Sequence, residues 1–170
     1  DIQLFEFNPA LGVSLVINAG AASIKGIEGE LNFNITDTLS IGANGSLLDA
    51  TIDETVAAAR VTEGDRLPFT AEKSLAVFVN YRAPLSFLDG WDFKANADLS
   101  YVGDQVSRNQ SIFRDDALVG NARIAIASDT YEMALYARNF GDNTTLTIFS
   151  PFDFGVPRPR TIGLELIGRF

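Results

Sequence analysis

Apolar and polar residues alternate with a period of two along most of the chain, which is the pattern of extended strands whose successive side chains point to opposite faces. The alternation predicts eight antiparallel strands at 1–7, 22–35, 39–52, 70–83, 91–102, 117–127, 131–139 and 161–170, divided by clusters of Gly, Asn, Asp and Pro. Helical spacing is nearly absent. Only Asp53 to Thr62, with Ala57-Ala58-Ala59, is compatible with a short helical turn.

The connections are unequal in a regular way. Short ones follow the even-numbered strands: Thr36-Asp37-Thr38, Pro84 to Gly90, and Ser128-Asp129-Thr130. Long ones follow the odd-numbered strands: Asn8 to Ala21, Asp53 to Phe69, Gly103 to Asp116, and Phe140 to Arg160. An up-and-down meander then gathers its short turns at one end and its long loops at the other, as outer-membrane barrels do.

Strands two to eight also separate by face. One face carries no charge from Ile27 to Ile35, Leu39 to Leu47, Leu75 to Ala83 and through the matching positions of the later strands, with Leu31 and Phe33, Ile41, Val77 and Val79, Leu99, Ile124 and Ile126, Met133 and Leu135 along it, ending on Ile162, Leu164, Leu166, Gly168 and Phe170. The other carries Glu28, Glu30, Arg82, Asp92, Lys94, Asp98, Arg123, Glu132, Arg138, Glu165 and Arg169. A half-buried soluble sheet alternates in the same way. Two features favour a membrane instead. Soluble strands average ~5–6 residues, whereas a tilted spanning strand needs ~9–11, closer to these runs. On the apolar face, Phe33, Tyr81, Trp91, Phe93, Tyr131 and Phe170 lie near the short-turn end, and Tyr101 near the other. Rings with one apolar and one hydrogen-bonding end collect at membrane–water interfaces.

Composition narrows the chemistry. The chain has 170 residues, net charge −9 and 46% hydrophobic residues. Its acidity and lack of a basic patch argue against nucleic acid as a partner. No Cys and no His are present, which removes disulfides, thiolate sites, common zinc sites and most general-base chemistry near neutral pH. No catalytic residue, metal site or cofactor is expected, and an enzyme is the least favoured class. No run approaches the ~18 apolar residues of a membrane helix. The opening Asp1-Ile2-Gln3-Leu4-Phe5 lacks the basic start of a signal peptide, so the chain reads as processed or as a piece of something longer.

In hydrocarbon each unpaired backbone group costs several kcal/mol, so a spanning sheet must close. Eight strands can close alone into a narrow barrel. A strand that begins at the first residue, and an ionic face rich in Asn, Glu and small residues, point instead to part of a wider one.

Particular segments carry a resemblance. Asn18-Ala19-Gly20 with Lys25-Gly26-Ile27-Glu28-Gly29-Glu30-Leu31, Leu39 to Ala50, Gly64-Asp65-Arg66-Leu67-Pro68-Phe69, Tyr131 to Asn139 with Phe140-Gly141-Asp142, and Pro159 to Leu166 ending at Arg169-Phe170 together resemble the closing part of TonB-dependent outer-membrane receptors. The resemblance spans essentially the whole chain and implies a transmembrane β-barrel, with residues 1–170 supplying the last eight of about twenty-two strands. It further implies the bacterial outer membrane, contact with its lipid, and uptake of a scarce nutrient such as a siderophore, vitamin B12 or a glycan. Neither a plug domain nor a TonB box falls within residues 1–170, so plug and TonB complex are partners through a preceding part. Ile162, Leu164, Leu166 and Phe170 resemble the signal read by the barrel assembly machinery, which would act by strand addition; the usual additional aromatic is Gly168 here.

Candidate sites follow. Phe149, Phe152 and Phe154, among Pro151, Pro157 and Pro159, are ligand-loop aromatics that could stack on a sugar or catecholate, though packing of the loop on its own barrel is the more ordinary role. Glu28, Glu30, Lys94, Asp98, Arg123, Glu132 and Arg138 are expected to face the lumen and a docked plug, with Glu132 pairing Arg138 and Asp98 pairing Lys94. The loop acids Asp49, Asp53, Glu54, Glu63, Asp65, Asp115 and Asp116 lack calcium-loop spacing and read as solvated charge. Asn143-Thr144-Thr145 matches a glycosylation acceptor that belongs to another secretory context. Two other readings compete: a self-contained eight-stranded barrel with a structural or adhesive role, which must pair residues 1–7 with 161–170, and a soluble β ligand-binding protein, whose charged face would meet solvent.

Overall fold

The computed structural model describes residues 2–8, 11–18, 20–57, 60–107, 110–149 and 154–169. Its strands are β1 (Gln3–Asn8), β2 (Val13–Asn18), β3 (Ala22–Asn34), β4 (Leu39–Ile52), β5 (Lys73–Pro84), β6 (Asp92–Val102), β7 (Gln105–Val106), β8 (Phe113–Arg114), β9 (Ala117–Ala127), β10 (Tyr131–Arg138), β11 (Ile148–Phe149), β12 (Phe154–Gly155) and β13 (Thr161–Gly168). Seven of them form one antiparallel meander in the order β13-β10-β9-β6-β5-β4-β3. The remaining pairs, β1-β2, β7-β8 and β11-β12, are small hairpins. β3 and β4 run 13 and 14 residues, well beyond ordinary strand length.

The register keeps every strand in the phase that the alternation predicts. Leu31 lies opposite Ala43, Ala43 opposite Val77, Val77 opposite Leu99, and Leu99 opposite Gly120. The neighbouring row on the other face runs Asn32, Gly42, Phe78, Asp98, Asn121. A slip of one residue at any pair would mix the two faces. The apolar face is uncovered among the described residues: Leu31 is 61% exposed and Ile124 48% exposed. A sealed soluble core would bury both.

Short turns are closed by their own side chains. Thr36 Oγ1 accepts from the backbone of Thr38 and Leu39, and Ser128 Oγ accepts from Tyr131 N at 3.0 Å. These local bonds satisfy turn backbone without inserted residues.

Two expectations are corrected. Residues 1–7 are not an eighth wall strand: β1 pairs with β2, a strand inside the expected loop Asn8 to Ala21. Among the described residues β13 pairs only with β10, so the pairing a self-contained eight-stranded barrel requires is not made there. Within the segment compatible with a short helical turn, Ala57 stands in a 3₁₀ turn: Arg60 N donates to Ala57 O at 3.1 Å, and a bridge between Val56 and Val61 brackets it.

The apolar core lies in the loops. Ile52 and Val61 are each 1% exposed, and Ile2, Ile17, Ala22, Val56 and Leu67 pack on them. The β1-β2 hairpin therefore sits at the long-loop end, above the β3-β4 ladder, where Ile2 N also donates to Gly20 O.

Candidate functional site

The ionic face concentrates its charge where β6, β9, β10 and β13 lie side by side. Glu132 is its hub. Arg123 Nη2 donates to Glu132 Oε1 at 2.6 Å, Lys94 Nζ to Oε2 at 3.2 Å, and Arg169 Nη2 to Oε2 at 3.4 Å. Arg123 Nη2 also reaches Glu165 Oε2 at 2.7 Å. Ala125, Ala127 and Ala134 lie beneath, at 4%, 3% and 1% exposure. Small side chains there let long ones lie flat across three strands. The Glu132 side chain is thereby only 6% exposed, and a carboxylate so hidden requires this many cationic donors.

Toward the long loops the face turns from ions to amides. Asn96 Nδ2 donates to Asn80 Oδ1 at 2.7 Å, and Asn121 Nδ2 to Asp98 Oδ2 at 2.8 Å. Tyr136 stacks over Gly163, where an added Cβ would come within 2.5 Å of the ring, and Arg138 lies 4.9 Å above the same ring. Near the short turns, Arg82 Nη2 meets Asp92 Oδ2 at 2.6 Å.

Two expected pairs are not made. Glu132 and Arg138 share a strand six residues apart, roughly 20 Å at ~3.3 Å per residue, so Glu132 takes partners from β9, from β6 two strands away and from the residue after β13, and Arg138 takes the Tyr136 ring. Lys94 and Asp98 are likewise ~13 Å apart along one strand; Lys94 turns to Glu132 and Asp98 to Asn121. Glu28 and Glu30 share the face through their pairing with Ser46 and Asn44, and Glu30 accepts from Asn32 Nδ2 at 2.7 Å.

The long loops form the other half of the site. Loops 53–69 and 103–116 are joined: Phe69 N donates to Val106 O at 2.9 Å, Gln105 Nε2 to Phe69 O at 2.9 Å, and Gln110 Nε2 to Arg66 O at 2.8 Å. Arg66 forks onto Asp104, bonding both its carboxylate and, at 3.0 Å, its backbone carbonyl. This guanidinium holds the Asp104 carboxyl below its ordinary 3.8. Loop 140–160 has a separate clasp. Asn139, at φ +48° and 5% exposed, donates through Nδ2 to Asn143 O at 2.9 Å and Arg158 O at 3.0 Å, and accepts from Asn143 N at 2.8 Å. Asp142 Oδ1 accepts from Arg160 N at 3.0 Å. The Asn-Phe-Gly-Asp run is thus a tie between both limbs of the loop, a role that sequence analysis did not assign to it. The signal was present: Asn is among the few residues that tolerate a positive φ while bonding nearby backbone.

Of the loop aromatics, Phe149 and Phe154 are cross-strand partners in β11-β12, and Phe154 is 64% exposed. Phe152 and the Phe149 side chain lie outside the described residues. Ile162, Leu164 and Leu166 stand together on the apolar face of β13, at 68%, 64% and 70% exposure. Phe170 lies outside the described residues.

The sequence over residues 2–148 matches the family profile described as TonB dependent receptor-like, beta-barrel. Among solved structures, the chain is similar to the siderophore receptor PiuA from Acinetobacter baumannii, with TM-score 0.73 at 16% identity over 89% of this chain and 22% of that one. It is similar to the ferric yersiniabactin uptake receptor FyuA from Yersinia pestis, with TM-score 0.75 at 17% identity over 88% of this chain and 24% of that one. A third is BauA, the ferric preacinetobactin receptor from Acinetobacter baumannii, with TM-score 0.70 at 10% identity over 96% of this chain and 25% of that one. The chain therefore spans about a quarter of the length of these structures. No curated protein matches it in sequence.

Proposed function

This chain belongs to the TonB-dependent receptor-like β-barrel family, and on that premise we propose that it forms the C-terminal part of the barrel wall, with several outer loops, of a receptor that takes up an iron–siderophore complex across the bacterial outer membrane. The observation that carries this reading is the sorting of one sheet into an uncovered apolar face, with charge only at its loop-side rim, and an ionic face knotted around Glu132. The first face suits lipid and the second a wet or protein-filled lumen. The structural neighbours named as siderophore receptors favour iron chelates over vitamin B12 or glycans.

The residues take roles accordingly. Glu28, Glu30, Lys94, Asp98, Arg123, Glu132 and Arg138 border the plug. Phe149, Phe152 and Phe154 meet ligand from loop 140–160. Ile162, Leu164, Leu166 and Phe170 are read by the barrel assembly machinery through the edge of β13, and energy comes from the TonB complex through the plug.

The test is uptake of radiolabelled ferric siderophores by cells that carry the full-length receptor as their sole siderophore receptor, with and without a working TonB complex. Saturable uptake that stops when TonB is removed is expected. Uptake of none of a hydroxamate, catecholate and mixed-chelate panel would overturn the siderophore assignment. Uptake indifferent to TonB would overturn the coupled mechanism.

A further inference from the structure

A shallow groove crosses the apolar face near its long-loop end. Its floor is the cross-strand pair of Gly29 and Gly45, and its walls are Ile27, Leu47, Leu75 and Tyr101. It is open to the surface, with a volume of about 430 Å³, and Lys73 stands at its loop-side mouth. Lys25 belongs to the same rim: it lies on the face of Ile27, two residues nearer the loops on β3. Both lysines are exposed, and neither is held in a salt bridge among the described residues. Two acids are close. Asp49 is exposed and opposite Lys25 in register. Asp104 feels the charge of Lys73, but its carboxylate is occupied by Arg66.

We propose that this groove is a binding site for a phosphorylated glycolipid of the outer leaflet, with one acyl chain lying over Gly29 and Gly45 and a phosphate held by Lys73 and Lys25. The proposal rests on the reading of the apolar face as lipid-facing. Continuity decides the chain half of the occupant: the groove opens onto the charge-free band, so what fills it in place is hydrocarbon. Position decides the leaflet, because long loops mark the outer side. Charge decides the headgroup. Lysines at the upper boundary of an apolar surface extend their stems along it and present ammonium groups at phosphate depth, each strengthening attachment of an anionic lipid about five-fold.

The two glycines are not equivalent, and that supplies a clean variant. A Cβ on Gly45 would meet the Ser74 carbonyl oxygen at 2.8 Å, whereas one on Gly29 meets nothing within 4 Å. Gly29→Leu therefore fills the groove without disturbing the sheet. The experiment uses the full-length receptor in mixed micelles containing equal amounts of bisphosphorylated lipid A and its dephosphorylated form, with retained lipid counted by native mass spectrometry. The wild type is expected to retain the phosphorylated lipid at least five-fold over the other. Lys25→Gln with Lys73→Gln should abolish that preference, and Gly29→Leu should lower retention of both lipids. Equal retention of both lipids by the wild type, or a preference unchanged in the lysine variant, would overturn the site. Heat-dependent gel mobility of each protein reports the closed barrel. A wild type that never shows that mobility would refute the membrane reading itself, and a Gly29→Leu protein that lacks it leaves the lysine pair to decide the site.

Discussion

Arg123 on β9 and Glu132 on β10 meet at 2.6 Å although neither is opposite the other in the ladder: Arg123 lies across from Tyr136, and Glu132 from Ala127. The contact is diagonal, reaching over the alanines between them. It is a product of side-chain length and a small-residue floor.

Glu132→Gln leaves Lys94, Arg123 and Arg169 converging on a neutral group. We expect it to destabilise the full-length protein by about 2–3 kcal/mol, the usual cost of losing hydrogen bonds to a hidden charge. Glu165→Gln should cost less than ~1 kcal/mol, because that side chain is 44% exposed and water screens its pair. Urea unfolding midpoints in detergent distinguish the two; equal losses would mean that Glu132 is no hub.

Gly26 and Gly29, three residues apart on β3, should respond oppositely to alanine. A Cβ on Gly26 would lie 2.3 Å from the Leu47 carbonyl oxygen, a backbone atom that cannot give way, while Gly29 is open. Gly26→Ala is expected to cost about 1–3 kcal/mol. Gly29→Ala should be neutral or gain roughly 0.4–1 kcal/mol by restricting the unfolded chain. The same unfolding assay reads both.

Asn139→Ala removes three side-chain hydrogen bonds and places a Cβ-bearing residue with no local bond at positive φ. Loop 140–160 should then detach from its anchor while the sheet persists. Amide exchange within residues 140–149 is expected to rise about ten-fold or more, the equivalent of ~1.4 kcal/mol or more of lost protection, with exchange in β9 unchanged.

The link between loops 53–69 and 103–116 should weaken in acid. The Asp104 carboxyl is held below 3.8 by Arg66, so the folded state binds its proton less readily than the unfolded state. Its contribution is complete above that ordinary value and fades as pH falls through the lower, folded one. Exchange at Phe69 N, which bonds Val106 O, should accelerate only below pH 3.8. Asp104→Asn should remove that acid dependence, and added salt should mimic part of it.

The wall of this protein is legible in its sequence because lipid and lumen impose opposite chemistry on alternate residues. The phase of Leu31, Val77, Leu99 and Ile124 needs no knowledge of any partner strand. Val13 to Asn18 is different. That strand alternates only in part, since Leu15-Val16-Ile17 is a continuous apolar run; it serves a loop hairpin, and strand pattern alone does not say whether a strand crosses the membrane or stands above it. The pairing of Glu132 was hidden for another reason. Which charges meet depends on the stagger between strands, and stagger is a property of pairs of strands that no single strand records.

The fork of Arg66 onto Asp104, with the bonds between Phe69, Gln105 and Val106, makes two separate outer segments mechanically one. A molecule pressing on either would move both. Force applied at the tip would reach the tops of β4, β5 and β6 together, in the manner of a hinged plate rather than two free cords.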